Sequence, residues 1–97
     1  METDGKVKIM TLALERDLCK ISYTGKGSIG SHINKWNRYL KMIETHCPNY
    51  YNDWKKMDLF KNSIRSDKYK NLQDLQVTQR WTLSQFQHEL CTLEIVH

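Results

Sequence analysis

Apolar side chains recur at helical spacing between Ile29 and Ile43, and this periodicity is the strongest constraint that the sequence places on its fold. The steps between successive apolar positions are four, three, four and three residues. Residues at this spacing share one face of an α-helix, so the segment predicts an amphipathic helix with that face buried. The positions concerned are Ile29, Ile33, Trp36, Leu40 and Ile43. Ser28 is a favourable N-cap, and Pro48 marks the end, because proline disfavours helical backbone at the residue before it.

Further segments repeat this pattern more weakly and predict an all-α fold. A leading helix is predicted from about Lys6 to Lys20, a third helix follows Pro48, and a short fourth and a last helix complete the chain. The predicted inward positions are Val7, Met10, Leu14, Leu18 and Ile21 in the leading helix, Met57, Phe60 and Ile64 in the third, Tyr69, Leu72 and Leu75 in the fourth, and Leu83, Phe86, Leu90 and Leu93 in the last. No convincing pair of strands appears. The sequence therefore predicts a small bundle of four to five helices with short connections.

Polar residues at the predicted helix starts support these boundaries. Asn52 or Asp53 can cap the third helix, and Ser66 can cap the fourth. Thr82, with Gln85 three residues later, forms the capping-box pattern ahead of the last helix.

Length and composition narrow the class of protein. With 97 residues, the chain is expected to form a flexible stretch over residues 1–5 and a single helical domain over residues 6–95. No apolar run approaches the roughly 20 residues of a membrane-spanning helix, so we expect no membrane contact and a cytoplasmic location. Three cysteines at wide spacing lack the paired pattern of a structural zinc site, so we expect no metal. The net charge of +4 permits nucleic-acid contact without requiring it.

Three of the four glycines lie between Tyr23 and Trp36, around the start of the second helix. Glycine-rich loops with a lysine can cradle phosphate, but a Walker loop requires glycine, four residues and then Gly-Lys-Ser/Thr. Here Gly25-Lys26 is followed by another glycine, and a lysine stands where the first glycine should be. We therefore expect no nucleotide and no cofactor, and instead a tight turn in which glycine adopts a positive φ.

The turn and its helix resemble the major homology region of retrovirus-type capsid C-terminal domains. In that family a glycine turn leads into a helix with aromatic, aliphatic and basic residues at set positions, closed by a leucine that Leu40 matches. The residues that fall in phase with the pattern are Gly25, Ser28, Ile29, His32, Ile33, Lys35 and Trp36. Thr24 replaces the family's turn glutamine, and Gly27 or Ser28 replaces its glutamate. The sequence therefore does not predict the family's full hydrogen-bonded network with the basic residue, Lys35 here, and offers Ser28 and Ser31 for a smaller one.

The resemblance continues over roughly Ile21 to Glu94. The segment NDWKKMDLFKNSI resembles the family's second helix, SDKYKNLQDL its short third helix, and WTLSQFQHEL its last. The order of these segments is also similar to the gag polyproteins of LTR retrotransposons, particularly copia-type ones. The resemblance implies a non-enzymatic assembly domain of a gag or gag-derived protein, which dimerises and makes capsid-lattice contacts with further copies of itself.

The same resemblance implies that the dimer contact lies on the third helix. Trp54 falls at the margin of the apolar face of that helix, where a large rigid ring is an effective interface anchor. The expected interface residues are Tyr51, Trp54, Lys55, Asp58 and Asn62. Trp36 lies in phase with the apolar stripe of its own helix, and we expect it in the core.

A hypothesis from a different class remains open, namely a small basic helical protein that binds nucleic acid or a protein partner, such as a regulator or inhibitor of viral type. The segment from Asp53 to Lys70 carries six basic and three acidic residues. Because the acids are interleaved with the basic residues, only weak RNA contact is expected. A self-complementary Trp54 face favours assembly, whereas a continuous basic stripe with exposed tyrosines favours nucleic acid. No catalytic constellation of residues falls on elements that can be placed together, so no enzymatic activity is expected.

Overall fold

The fold is all-α, as the sequence predicts. The structure is a computed structural model that describes the backbone of residues 2–96 and the side chains of residues 9–94. Within this backbone the helices are α1 (Glu2–Lys20), α2 (Ile29–His46), α3 (Asp53–Ser63), α4 (Lys70–Gln79) and α5 (Leu83–Val96), with a 3-10 turn at Asp67–Tyr69 between α3 and α4. None of these helices has both the length and the apolar character needed to cross a lipid bilayer.

Helix α2 provides the centre of the core. All five residues of its predicted apolar stripe are buried. The ring of Trp36 meets the ring of Phe60 on α3 edge to face, with centroids 5.0 Å apart, and Phe60 in turn meets Phe86 on α5 at 5.7 Å. Edge-to-face pairs are a favourable aromatic geometry, so this row of three rings joins α2, α3 and α5. The buried apolar side chains are Leu18, Ile21, Tyr23, Ile29, Ile33, Trp36, Leu40, Ile43, Tyr51, Phe60, Ile64, Tyr69, Phe86 and Leu90.

The predicted caps are confirmed. The side chain of Ser28 accepts a hydrogen bond from the backbone N–H of Ser31 at the start of α2. Asn52 rather than Asp53 caps α3, and Ser66 caps the 3-10 turn. Thr82 and Gln85 form the reciprocal pair of a capping box, in which each side chain accepts from the backbone N–H of the other.

Helix α1 differs most from its sequence prediction. It begins at Glu2 rather than near Lys6, so it takes in residues 2–5, which the sequence predicts as flexible. Met1 lies outside the described residues, as does the side chain of Val7, a predicted inward position. The prediction that Met10 faces inward is wrong, because its side chain is 48% exposed.

Helix α4 also departs from the predicted pattern. Leu75 is 41% exposed, whereas the sequence predicts an inward position. Helix α4 has no fully buried residue, and Leu72 is the apolar residue of this helix that packs partly against the core.

One parallel bridge ties the segment before the glycine turn to the end of α3. The N–H of Tyr23 donates to the carbonyl of Ser63, and the N–H of Arg65 donates to the carbonyl of Tyr23, both at 2.7 Å. This pair of hydrogen bonds sets the turn against the chain that follows α3.

Candidate functional site

The glycine turn has the conformation that the sequence predicts. Gly25 and Gly27 adopt φ values of +96° and +82°, which side chains on an L-residue disfavour. A Cβ atom at Gly25 would also lie 2.9 Å from the hydroxyl oxygen of Ser66, whereas one at Gly27 would meet nothing within 4 Å. Gly25 therefore combines a backbone requirement with a close approach to the cap of the 3-10 turn.

A carboxylate from the same chain occupies the N-terminus of α2. The Oε1 atom of Glu94 accepts from the backbone N–H of Ile29, and its Oε2 atom accepts from the N–H of Gly30, both at 3.1 Å. Free N–H groups and the helix dipole make such a terminus a favourable place for an anion. The sequence analysis missed this contact, because Glu94 stands 65 residues after Ile29 and no local pattern links them.

The pKa of the Glu94 carboxyl is lowered from its ordinary value of 4.5. Partial burial acts to raise this pKa, but the hydrogen bonds from Gly30, Ser28 and Ile29 together outweigh it, and the charge of Lys68 adds to their effect. A carboxyl with a lowered pKa stabilises the fold above its ordinary pKa, and this contribution disappears as the pH falls through the folded-state value.

Glu94→Gln is therefore expected to lower the melting temperature at pH 7, and the difference from the parent should shrink as the pH falls below about 4.5. Thermal melts across this pH range, followed by circular dichroism, measure the difference. Glu89→Gln is the matched control, because it removes one carboxylate from the same helix without touching the start of α2. A pH-independent difference for Glu94→Gln would show that the ionised carboxylate does not hold this end of α2.

His32 links α2 to α3 inside the core. Its Nε2 atom lies 2.9 Å from the hydroxyl oxygen of Ser63, and that hydroxyl donates to the carbonyl of Phe60. Since the serine hydrogen is used in this way, Nε2 must carry the hydrogen and donate to Ser63. Burial, followed by the charge of Lys35, lowers the pKa of His32, so the imidazole is neutral near pH 7.

The residues of the predicted homology region divide between core and surface. Ile29, His32, Ile33 and Trp36 are buried, whereas Ser28 and Lys35 are exposed. The smaller polar network around the turn is built from Ser28, the start of α2 and Glu94, without a contribution from Lys35 among the described contacts.

Four of the five predicted interface residues share the outer face of α3, opposite the buried Phe60. They are Trp54, Lys55, Asp58 and Asn62. Trp54 is 72% exposed and is the most exposed large apolar side chain among the described residues. Asn62 donates a long hydrogen bond of 3.5 Å to Asp58 along this face.

The prediction that Tyr51 belongs to this exposed face is wrong. Its side chain is 7% exposed, because the residue precedes the cap of α3 and turns inward into the core. Its ring meets Tyr50 edge to face with centroids 4.8 Å apart. The hydroxyl of Tyr51 is buried without a hydrogen-bond partner among the described residues, and burial raises its pKa.

A groove of about 1000 Å³ lies beside this face, between α2, α3 and the chain that joins α4 to α5. Its apolar lining is Leu40, Trp54, Met57, Val77, Trp81 and Leu83. An ion pair of 3.1 Å between Lys56 and Glu44, and a reciprocal amide pair between Asn37 and Gln87, satisfy polar groups along it.

The turn after α4 positions Trp81 at the groove. Arg80 adopts a left-handed conformation with φ of 54°, the N–H of Trp81 donates to the carbonyl of Gln76, and the Gln76 side chain donates to the carbonyl of Trp81. The sequence analysis missed Val77 and Trp81 as surface features, because neither falls in the apolar pattern of a helix.

No family model, curated protein or solved structure matches this chain.

Proposed function

We propose that this chain is a non-enzymatic assembly domain of a gag or gag-derived protein, and that it self-associates through the outer face of α3. The observation that carries the proposal is the 72% exposure of Trp54. A tryptophan that the core does not require, placed at the edge of a polar helix face, is the kind of residue that anchors protein interfaces. The order of a glycine turn, a capped amphipathic helix and three shorter helices also supports the resemblance to capsid C-terminal domains.

The face predicts a weak interaction between two copies. Trp54 is the only large apolar residue on it, and its neighbours Lys55, Asp58 and Asn62 are polar. A single aromatic anchor with a polar surround gives modest affinity, which is suited to a lattice where many weak contacts act together. A dimer should therefore appear at high protein concentration and dissociate on dilution.

Trp54→Ala should raise the dissociation constant of the dimer at least tenfold, because loss of an interface anchor costs roughly 2 kcal/mol or more of association. The same change should lower the stability of the monomer by only about 1 kcal/mol, since the side chain is mostly in solvent. Sedimentation or light scattering across a concentration series measures the first effect, and thermal melting measures the second.

Ile9→Ala provides the matched control. Ile9 is 69% exposed on α1, so the change removes a comparable exposed apolar group from a different helix. It should leave the dissociation constant unchanged. If the parent protein stays monomeric at millimolar concentration, or if Trp54→Ala associates like the parent, the proposed assembly through α3 is wrong.

The nucleic-acid hypothesis finds less support in the arrangement of charge. Lys56 is paired with Glu44, and Lys68 lies over the ring of Tyr69 with its ammonium 5.5 Å from the centroid. Asp53 precedes the basic residues of α3, and Asp58 lies between them. A surface that binds phosphate backbones requires a continuous run of unpaired positive charge, which this mixed face does not supply.

A further inference from the structure

We propose that the groove beside α3 receives the Trp54 side chain of a second copy of this chain, so that each copy of the dimer inserts its tryptophan into the groove of the other. The inference rests on the proposed self-association through α3 and adds the surface that Trp54 would contact. It begins from the position of Trp54, which is both the most exposed large apolar residue and part of the groove wall.

The groove has the size and the apolar surface that an indole ring requires. Its volume of about 1000 Å³ is at the upper end of the range of roughly 300–1,000 Å³ typical of small-molecule pockets. Val77, near the end of α4, lies in the groove wall. Its side chain is 66% exposed and does not pack against the core. Two strongly exposed apolar residues therefore border one opening, and a partner that fills it would cover both.

The arrangement is self-complementary, which is the condition for a two-fold symmetric contact. In such a contact the same surface patch serves both copies, so a projecting group and its receptor must lie next to each other on one chain. Trp54 and the groove meet this condition because the tryptophan stands at the groove edge. Insertion of one tryptophan thus brings the second into the opposite groove, and the contact closes at two copies.

Charge around the opening is also arranged for a second copy. Asp53 and Asp58 lie beside Trp54 on α3, while Lys41 on α2 and Arg80 after α4 lie elsewhere on the groove wall. None of these four residues forms an ion pair of 4 Å or less with another described residue, but Asp58 accepts a hydrogen bond from Asn62 and attracts Lys61. The two-fold contact would bring the acids of one copy toward the basic residues of the other, and opposite charges that meet in this way favour one partner and one register.

Lys61 lines the same groove and is already engaged within its own chain. Burial lowers the pKa of its ammonium group, and attraction to Asp58 and Asp74 acts in the opposite direction. Because Asp58 attracts Lys61 within the same chain, the charge reversal at Asp58 also changes the surroundings of Lys61. The test therefore leaves Lys61 unchanged in every variant and alters only Asp53, Asp58, Lys41 and Arg80.

The test reverses the two sets of charge separately and then mixes the variants. One variant carries Asp53→Lys and Asp58→Lys, and the other carries Lys41→Glu and Arg80→Glu. Each variant alone should dissociate at least tenfold more readily than the parent at low ionic strength, because like charges then face each other twice. An equimolar mixture should recover a species of twice the 11.6 kDa chain mass, since every pair across the contact is again opposite in sign.

Circular dichroism establishes that each variant is folded. A further variant, Val77→Asp, tests the groove without reversing any charge. This change places a carboxylate on the groove wall at an exposed site, so it should weaken association with little change in melting temperature. Sedimentation equilibrium gives the dissociation constants of all the variants and of the mixture.

The outcomes separate the two proposals. If Trp54→Ala weakens association while the charge reversals and Val77→Asp do not, the groove is not the receptor, although assembly through α3 stands. Reversed variants that fail to recover on mixing, or a parent species that grows beyond two copies through this contact, would overturn the reciprocal insertion. If the parent protein remains monomeric at millimolar concentration in sedimentation equilibrium, both proposals are wrong.

Discussion

Trp36→Ala should leave the domain marginally folded or unfolded. The side chain is 1% exposed, and its ring lies at the start of the aromatic row that joins α2 to α3 and α5. Replacement of a buried tryptophan by alanine costs about 3–5 kcal/mol, because transfer free energy is lost and a cavity remains. A small domain has roughly 5–10 kcal/mol of total stability, so most of it would be removed. Thermal and urea denaturation followed by circular dichroism measure the loss.

Trp54→Ala is the matched control for this prediction, since it makes the same chemical change at a site that is 72% exposed. The two variants should separate clearly, with the exposed site costing about 1 kcal/mol. A melted Trp54→Ala variant beside an intact Trp36→Ala variant would mean that the helix faces assigned to α2 and α3 are exchanged.

Gly25→Ala should destabilise the fold by about 2–3 kcal/mol, through backbone strain at positive φ and displacement of a helix cap. The new methyl group would lie 2.9 Å from the Ser66 hydroxyl oxygen, which accepts from the N–H of Lys68. Ser66 has a short side chain, so it cannot move aside without giving up this hydrogen bond. Denaturant unfolding gives the free-energy difference.

Gly27→Ala separates the two causes of that loss. Gly27 also has a positive φ, but a methyl group there would meet nothing within 4 Å. Its substitution should therefore cost only about 1–2 kcal/mol of backbone strain. The excess cost at Gly25 should shrink in a Ser66→Ala background, where the hydroxyl is absent. Equal costs at the two glycines would show that the approach of Ser66 does not constrain the turn.

Local sequence determined the helices and their caps. The stripe on α2 could be identified because five apolar side chains at helical spacing have no other way to share a buried face. Ser28, Asn52, Ser66 and the Thr82–Gln85 pair could be identified because a cap bonds to backbone only two or three residues away. Interactions between residues two or three positions apart depend only on the local order of residues, which can be read from the sequence.

Weaker patterns were ambiguous for a physical reason. Met10 and Leu75 have helical spacing, yet both are exposed, because spacing shows which residues share a face but not whether a partner covers that face. Tyr51 shows the reverse case. It lies outside the helix pattern of α3, and only the path of the chain before the cap turns its ring into the core.

The features on which the proposed self-association rests could be found only from the tertiary structure. Glu94 reaches the start of α2 across 65 residues, and the groove brings together Trp54, Val77 and Trp81 from three separate segments. Such contacts join residues with no fixed separation in the chain, so no spacing rule can identify them. Local patterns in the sequence were enough to predict which helices form and, except for the start of α1, where they begin. The packing of those helices decided which side chains remain on the surface, and the proposed contact between two copies is built on those side chains.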